Sequence, residues 1–265
     1  MIDTPEKPTE TLRAEPKDES GRRVWWIVGG AFTGAVLLFA LTVAGVWIWV
    51  VSSPEETASH TEEYTQLRGV ELANEIGDIE LSAAEGDVLV VHRATTWRSQ
   101  EPEITEDLRD DVLAVEGDCD RGPFTFFGSD QCAVEFTLLV PADVDAEIRN
   151  SVGEIHLDGL EGAIDVESNV GDVEGTKLRT ASTDIDSDVG SVRLEYAQVL
   201  GDIDVSIETG DIEIIVPDDG TTYEVVVQSS IGSQDIDIAT DPASSADYVI
   251  RVTSSVGDIS VRYAD

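Results

Sequence analysis

Residues 200–214 read LGDIDVSIETGDIEI. Within these 15 positions one phrase occurs twice, as Leu200-Gly201-Asp202-Ile203-Asp204-Val205 and as Thr209-Gly210-Asp211-Ile212-Glu213-Ile214. Glycine supplies a corner with φ > 0 at little steric cost. The aspartate after it can accept backbone N–H bonds in the turn. The residues that follow alternate apolar and polar, which is the period of a half-buried strand. Branched aliphatic side chains then face inward and carboxylates outward.

The same phrase recurs along the chain. It stands at Ile76-Gly77-Asp78-Ile79-Glu80-Leu81, Val152-Gly153-Glu154-Ile155-His156-Leu157 and Val170-Gly171-Asp172-Val173. It returns at Val189-Gly190-Ser191-Val192-Arg193-Leu194 and Val256-Gly257-Asp258-Ile259-Ser260-Val261. Looser copies lie at Glu85-Gly86-Asp87-Val88 and Glu161-Gly162-Ala163-Ile164. From Gly153 the glycines step by 9, 9, 19, 11 and 9 residues, a half-period near 9–10 and a full period near 19. Self-similarity at a fixed period marks stacked repeats, in which each rung buries the apolar face that its neighbour cannot bury alone. The spacing predicts an all-β fold: a single elongated β-solenoid-like stack of about ten rungs over residues 64–265. A β-sandwich of hairpins is the competing architecture. The runs Ala133–Val140 and Tyr223–Val227 read as strands, each beside a turn signal (Pro141, and Asp218-Asp219-Gly220).

Upstream, residues 24–51 (VWWIVGGAFTGAVLLFALTVAGVWIWVV) contain no charged residue in 28 positions. About 20 apolar residues cross a bilayer core. Trp25 and Trp26 at one end and Trp47 and Trp49 at the other match interfacial aromatic belts. A cleavable signal peptide is the rival reading, but its apolar region is only about 7–15 residues long. Arg22 and Arg23 precede the run, and the first basic residue after it is Arg68. The positive-inside rule therefore predicts a single-pass membrane protein, with its N-terminus cytoplasmic and its C-terminal domain extracellular. Residues 1–23 are expected to be a disordered cytoplasmic tail, 24–51 a transmembrane helix and 52–63 an acidic linker.

Cys119 and Cys132 flank the insertion DRGPFTFFGSDQ, within a departure from the repeat at 116–134. Outside the cell the pair is expected to form a disulfide closing a loop of about 14 residues, worth about 3 kcal/mol. A zinc site is not expected, because His60, His92 and His156 are scattered and neither cysteine has a second one nearby.

Composition excludes several functions. The chain has 55 acidic and 16 basic residues, a net charge of −39. Nucleic acid is not a partner, since phosphate binding needs a basic patch. Thirteen of the basic residues are arginine, and the lysines are Lys7, Lys17 and Lys177 alone. An acidic, lysine-poor surface suits concentrated salt, where screening shrinks to about 3 Å at 1 M. An acidic exported domain from a high-GC bacterium gives the same composition.

With the Gly-Asp-[Ile/Val]-x-[Ile/Leu/Val] repeats, the Val140-Pro141-Ala142-Asp143-Val144 lead-in and the N-terminal span, the chain resembles the adhesin-like family of β-strand-repeat, membrane-anchored prokaryotic proteins. The resemblance covers roughly residues 65–265. It implies a β-solenoid-like stack and carries no catalytic residues. The sequence itself has no G-x-S-x-G, H-E-x-x-H, phosphate-loop or C-x-x-C pattern. No enzymatic activity and no dedicated cofactor are expected. The Gly-Asp corners resemble the calcium-binding nonapeptide roll, making Asp78, Asp172, Asp202, Asp211 and Asp258 candidate metal ligands. They offer one carboxylate per turn, whereas calcium takes six or more oxygens. Turn capping, with diffuse calcium, magnesium or salt cations over the acidic face, is the competing role. The function expected is a cell-surface structural or adhesive module meeting an envelope protein or glycan. The alternative is the sensory ectodomain of a membrane signalling complex.

Overall fold

A computed structural model of the chain describes residues 34, 36–43, 45, 56–98, 100–119, 132–240 and 246–264. The chain divides into two units, Met1–Ser53 and Pro54–Asp265. In the first, residues 34, 36–43 and 45 are helical, and Val36, Leu37, Leu38, Phe39, Leu41 and Val43 are exposed. No helix among the described residues is long and apolar enough to cross a membrane. The 1–23 tail and both ends of the 24–51 run, with Arg22, Arg23, Trp25, Trp26, Trp47 and Trp49, lie outside the described residues.

The second unit is built of strands. Among the described residues there are nineteen, and sixteen of them pair off as eight rungs. In each rung one strand lies in a nine-stranded sheet and the next in a ten-stranded sheet. The rungs are β2 (Gly69–Ile76) with β3 (Ile79–Ala84), β6 (Val112–Asp118) with β7 (Cys132–Pro141), and β8 (Asp145–Val152) with β9 (Ile155–Asp158). Next come β10 (Ile164–Val170) with β11 (Val173–Leu178), β12 (Thr183–Val189) with β13 (Val192–Tyr196), and β14 (Ile203–Thr209) with β15 (Ile212–Val216). The last two are β16 (Tyr223–Ile231) with β17 (Gln234–Asp237), and β18 (Tyr248–Val256) with β19 (Ile259–Tyr263). The remaining strands, β1 (Glu56–Thr65), β4 (Val88–Trp97) and β5 (Glu103–Arg109), join antiparallel at one end.

Rungs meet through parallel ladders whose register lines up equivalent side chains, with a shift between Gly175 and Leu178 in the β11–β13 ladder. One inward row runs Leu72, Ile148, Val166, Ile185, Val205 and Val252. The facing row runs Leu81, Leu157, Gly175, Leu194, Ile214 and Val261. These aliphatics are almost completely buried and form one continuous core. Gly175 is the break in its row. A β-carbon there would lie 2.7 Å from the Leu178 side chain, so Leu178 occupies the slot that Gly175 leaves.

Three expectations are corrected. The stack has eight two-strand rungs rather than about ten, because residues 88–97 and 103–109 make antiparallel strands at one end of the stack instead of rungs. The 52–63 linker does not run its full length, since β1 begins at Glu56. Its alternating, mostly exposed side chains contribute little burial, and antiparallel ladder bonds to β4 hold it in place. The looser repeat Glu85-Gly86-Asp87-Val88 is no rung corner. It is a turn between β3 and β4 with nothing within 4 Å of a β-carbon on Gly86.

Rung order also departs from chain order. The β2/β3 rung lies between β6/β7 and β8/β9, and β18/β19 lies between β14/β15 and β16/β17. A disulfide joins Cys119 and Cys132 with their Cα atoms 5.8 Å apart, tying the end of β6 to the start of β7. Residues 120–131 of the insertion lie outside the described residues.

Candidate functional site

The repeated glycines stack into a column. Gly77, Gly153, Gly171, Gly190, Gly210, Gly232 and Gly257 all have φ between 133° and 147°. A β-carbon on Gly171 would lie 1.9 Å from the carbonyl oxygen of Gly153, and one on Gly190 would lie 2.0 Å from that of Gly171. Each corner therefore rests directly on the backbone of the corner before it. Two constraints, the φ value and the close approach, select glycine here.

Beside this column the aspartates cap the neighbouring corner. Asp78 Oδ1 accepts the Glu154 N–H at 2.9 Å, and Asp172 Oδ1 accepts the Ser191 N–H at 2.7 Å. Asp211 Oδ1 accepts the Asp258 N–H at 2.8 Å, and Asp258 Oδ1 accepts the Ser233 N–H at 2.7 Å. Hydrogen bonds from the Ser233 backbone and hydroxyl hold the Asp258 carboxyl below its ordinary range. The opposite corner repeats the device. There Asp145 Oδ1 accepts the Ala163 N–H at 2.8 Å, and Asp202 Oδ1 accepts the Val249 N–H at 2.9 Å.

Of the five candidate ligands, then, Asp78, Asp172, Asp211 and Asp258 share one corner line, and Asp202 sits on the other. Asp211 and Asp258 are on adjacent rungs; the others are spread along the stack. No group of three or more His, Cys, Asp or Glu among the described residues is arranged to hold a metal ion. The observed partners of these carboxylates are backbone N–H groups, joined at Asp258 by the Ser233 hydroxyl.

A second device escaped the sequence reading. Three residues before the corner glycine stand Asn74, Asn150, Ser168, Ser187 and Ser254, all buried. Asn74 Nδ2 donates to the carbonyl oxygens of Gly77 (3.1 Å) and Val134 (3.0 Å), and Asn150 Nδ2 donates to Gly77 (3.1 Å). Small polar side chains thus underlie the corner from inside. The recurring Asn/Ser-x-[Ile/Val]-Gly pattern is its sequence signal.

The outer faces carry straight rows of charge. On the nine-stranded sheet Glu147, Asp165, Asp184, Asp204 and Arg251 are register neighbours in that order. Partial burial, then the neighbouring Glu147 and Glu167, pushes the Asp165 carboxyl up. Partial burial, then Asp204, Asp165 and Asp186, does the same to Asp184. The arginines are set within these rows. Arg251 Nη1 lies 2.6 Å from Asp204, Arg149 Nε donates to Glu167 at 3.1 Å, and Arg193 pairs with Glu213.

On the ten-stranded sheet Glu80, His156, Glu174, Arg193 and Glu213 line up. His156 sits in a shallow depression of about 150 Å³ with Glu80, Asp158, Glu174 and Thr176 on its walls. Its Nε2 is 3.3 Å from Glu154. Thr176 Oγ1 donates to Asp158 at 2.8 Å and Lys177 Nζ does so at 3.0 Å, and these two bonds hold the Asp158 carboxyl below its ordinary range. The depression presents charge to solvent without a deep cleft.

The model of one family, Toastrack DUF4097, matches residues 59–262, which span every rung. The chain belongs to the Toastrack DUF4097 family. The adhesin-like resemblance read from the repeats agrees with that membership. Two solved structures are similar to this toastrack chain. A candidate cell adhesion protein from Clostridium sporogenes is 12% identical, with 79% of this chain and 100% of that one covered and a TM-score of 0.49. A candidate adhesin from Bacteroides fragilis is 14% identical, with 79% and 98% covered and a TM-score of 0.47. No curated protein matches the chain.

Proposed function

We propose that this toastrack protein is a membrane-anchored, cell-surface interaction module whose rigid β stack presents its acidic faces to an extended envelope partner, a protein or a glycan. The observation that carries this reading is the alignment of outward side chains into straight rows across successive rungs, as in Glu147, Asp165, Asp184 and Asp204. Adjacent members sit about 4.8 Å apart. Such an array matches a partner with its own linear repeat better than it matches a single small molecule, which is usually taken by a concave and mostly apolar pocket. The uncharged 24–51 run and the exposed apolar side chains of helical residues 36–43 support the membrane anchor. Calcium or magnesium would associate diffusely with the carboxylate rows.

Protease added to intact cells stripped of outer barriers tests the topology: residues 54–265 should be removed. Chemical cross-linking on intact cells, followed by recovery of the full chain, tests the role. Surface polymers or envelope proteins should be recovered with it. Protection of residues 54–265, or recovery of cytoplasmic partners alone, would overturn the reading.

A further inference from the structure

The two ends of the stack are finished differently. At one end β1 and β5 are the edge strands, and their sequences, ETASHTEEYT and EITEDLR, are rich in charge. Arg93 of β4 pairs with Glu106 of β5, and the Tyr64 hydroxyl of β1 donates to the same carboxylate, so the two sheets are latched together there. At the other end the edges are β16 and β17, two halves of one rung. The β16 sequence, YEVVVQSSI, holds one charged residue in nine. Among the described residues its pairings are the ladder to β18 and a single bridge from Tyr223 to Thr240. Val225, Val227, Ile236 and Ile238 at this end are only half buried, packed on the core from one side.

We propose that this end is a dimerisation surface whose occupant is the same end of a second copy of the chain. An open strand edge carries a row of unpaired N–H and C=O groups and templates further pairing. Native proteins guard such edges with charge, bulges or a covering element. The β1/β5 end has charge and a latch; among the described residues the β16 edge has one charge, Glu224, and beyond its β18 ladder one bridge, to Thr240. Both sheets end on the same rung, so one added strand would complete one sheet and leave the other open. A two-fold axis normal to the sheets sets β16 against β16 and β17 against β17 in one operation, and such an isologous contact closes on itself.

The β16 sequence tolerates this pairing. With the axis at Val227, Val226 faces Gln228 of the second copy, Val225 faces Ser229 and Glu224 faces Ser230, so no two β16 carboxylates meet. The half-buried valines and isoleucines become interior. Asp235 and Asp237 of β17 do approach their counterparts, so salt should strengthen the contact by screening them. Head-to-tail stacking would instead bring β16 to the acidic β1/β5 end and leave open ends to grow.

The test is co-isolation of two differently tagged full-length chains from one cell, in 0.15 M and 2 M NaCl. Wild type should co-isolate, more so in high salt, and so should a Leu108→Lys control on β5. Val226→Lys and Gln228→Pro on β16 should each lower co-isolation at least tenfold while keeping wild-type protease resistance. The double variant Glu224→Cys/Ser230→Cys should form a disulfide between copies, which association through residues 24–51 would not produce. The proposal fails if neither β16 variant reduces co-isolation, if no such disulfide forms, or if wild type carries a different protein on this edge in place of the second copy.

Discussion

Gly210 stands so close over Gly190 that a β-carbon on Gly210 would lie 1.8 Å from the Gly190 carbonyl oxygen. Gly210 also has φ +145°. Replacing Gly210 with alanine must therefore both strain the corner and push two rungs apart. Gly210→Ala should cost about 3 kcal/mol or more, at the upper end of single-residue effects. Gly220→Ala is the control. Gly220 has φ +91° but open space around it, so about 1 kcal/mol is expected. Chemical denaturation of residues 54–265 measures both, and equal effects would show that rung contact is not what selects glycine.

The aspartate caps make a second prediction. Asp172 accepts the Ser191 N–H, and alanine there leaves that donor without its partner. Asp172→Ala should cost about 1 kcal/mol, and Asp172→Asn, which keeps an acceptor oxygen, only a few tenths. Urea midpoints separate the two. Were the carboxylate a cation ligand instead, Asp172→Asn would be as harmful as Asp172→Ala, and calcium would stabilise wild type alone.

The pH response has two opposing parts. Asp158, Asp219, Asp247 and Asp258 are held below the ordinary aspartate value of 3.8 by hydrogen bonds. Their stabilisation is complete above that value and disappears as pH falls through their lower folded values. Asp165 and Asp184 are raised, so their burden is greatest at neutral pH and lifts as pH falls through their folded values. Asp184→Asn should thus raise stability at pH 7 by about 0.5 kcal/mol, the scale of a like-charge cross-strand contact. At pH 3 the gain should vanish. A gain that persists at pH 3 would point to a cause other than charge.

Salt should act on the same rows. Residues 52–265 carry 49 acidic and 11 basic residues, a net of −38. Unit charges about 4.8 Å apart repel by roughly 0.9 kcal/mol at the dielectric of water. Summed over the rows, that competes with a folding free energy of about 5–15 kcal/mol. The melting temperature of residues 54–265 should rise steeply between 10 mM and 1 M NaCl, with millimolar calcium or magnesium replacing much of the effect. A flat response would mean that the embedded arginines and backbone caps already neutralise the rows.

The disulfide adds a fourth stabilising element. It closes a loop of about 14 residues between strands in different sheets, so Cys119→Ser/Cys132→Ser should lose about 3 kcal/mol. Thermal melts with and without reductant check this, and the double serine variant should no longer respond to reductant.

Much of the fold is legible in the sequence because the repeat is local. A glycine, an aspartate and three alternating residues specify a corner and its strand, and each copy meets an equivalent partner. Rung order is not local. Nothing within Ile76–Leu81 says that its neighbours in space are the β7 and β9 strands, which lie more than fifty residues downstream. Strand β1 was missed because its side chains are mostly exposed and its hold is backbone pairing, which leaves no hydrophobic pattern. The buried Asn/Ser row was missed because strand alternation assigns polar residues to the outside. Position −3 from the corner is the exception, where Asn74 and Asn150 donate to the Gly77 carbonyl from within and small serines fit beneath the later corners.

The displaced rungs bear on how the molecule meets force. The last strands of the chain, β18 and β19, are interior, held on one side by β14 and β15 and on the other by β16 and β17. A pull on the C-terminus cannot peel an edge strand one bond at a time. It must break the two ladders that hold β19, to β15 and to β17, together. A pull on the N-terminal side strips the exposed β1 first and then meets β2 and β3, also clamped between two rungs. Tension between the two termini would thus strip β1 readily and meet clamped strands at both ends thereafter.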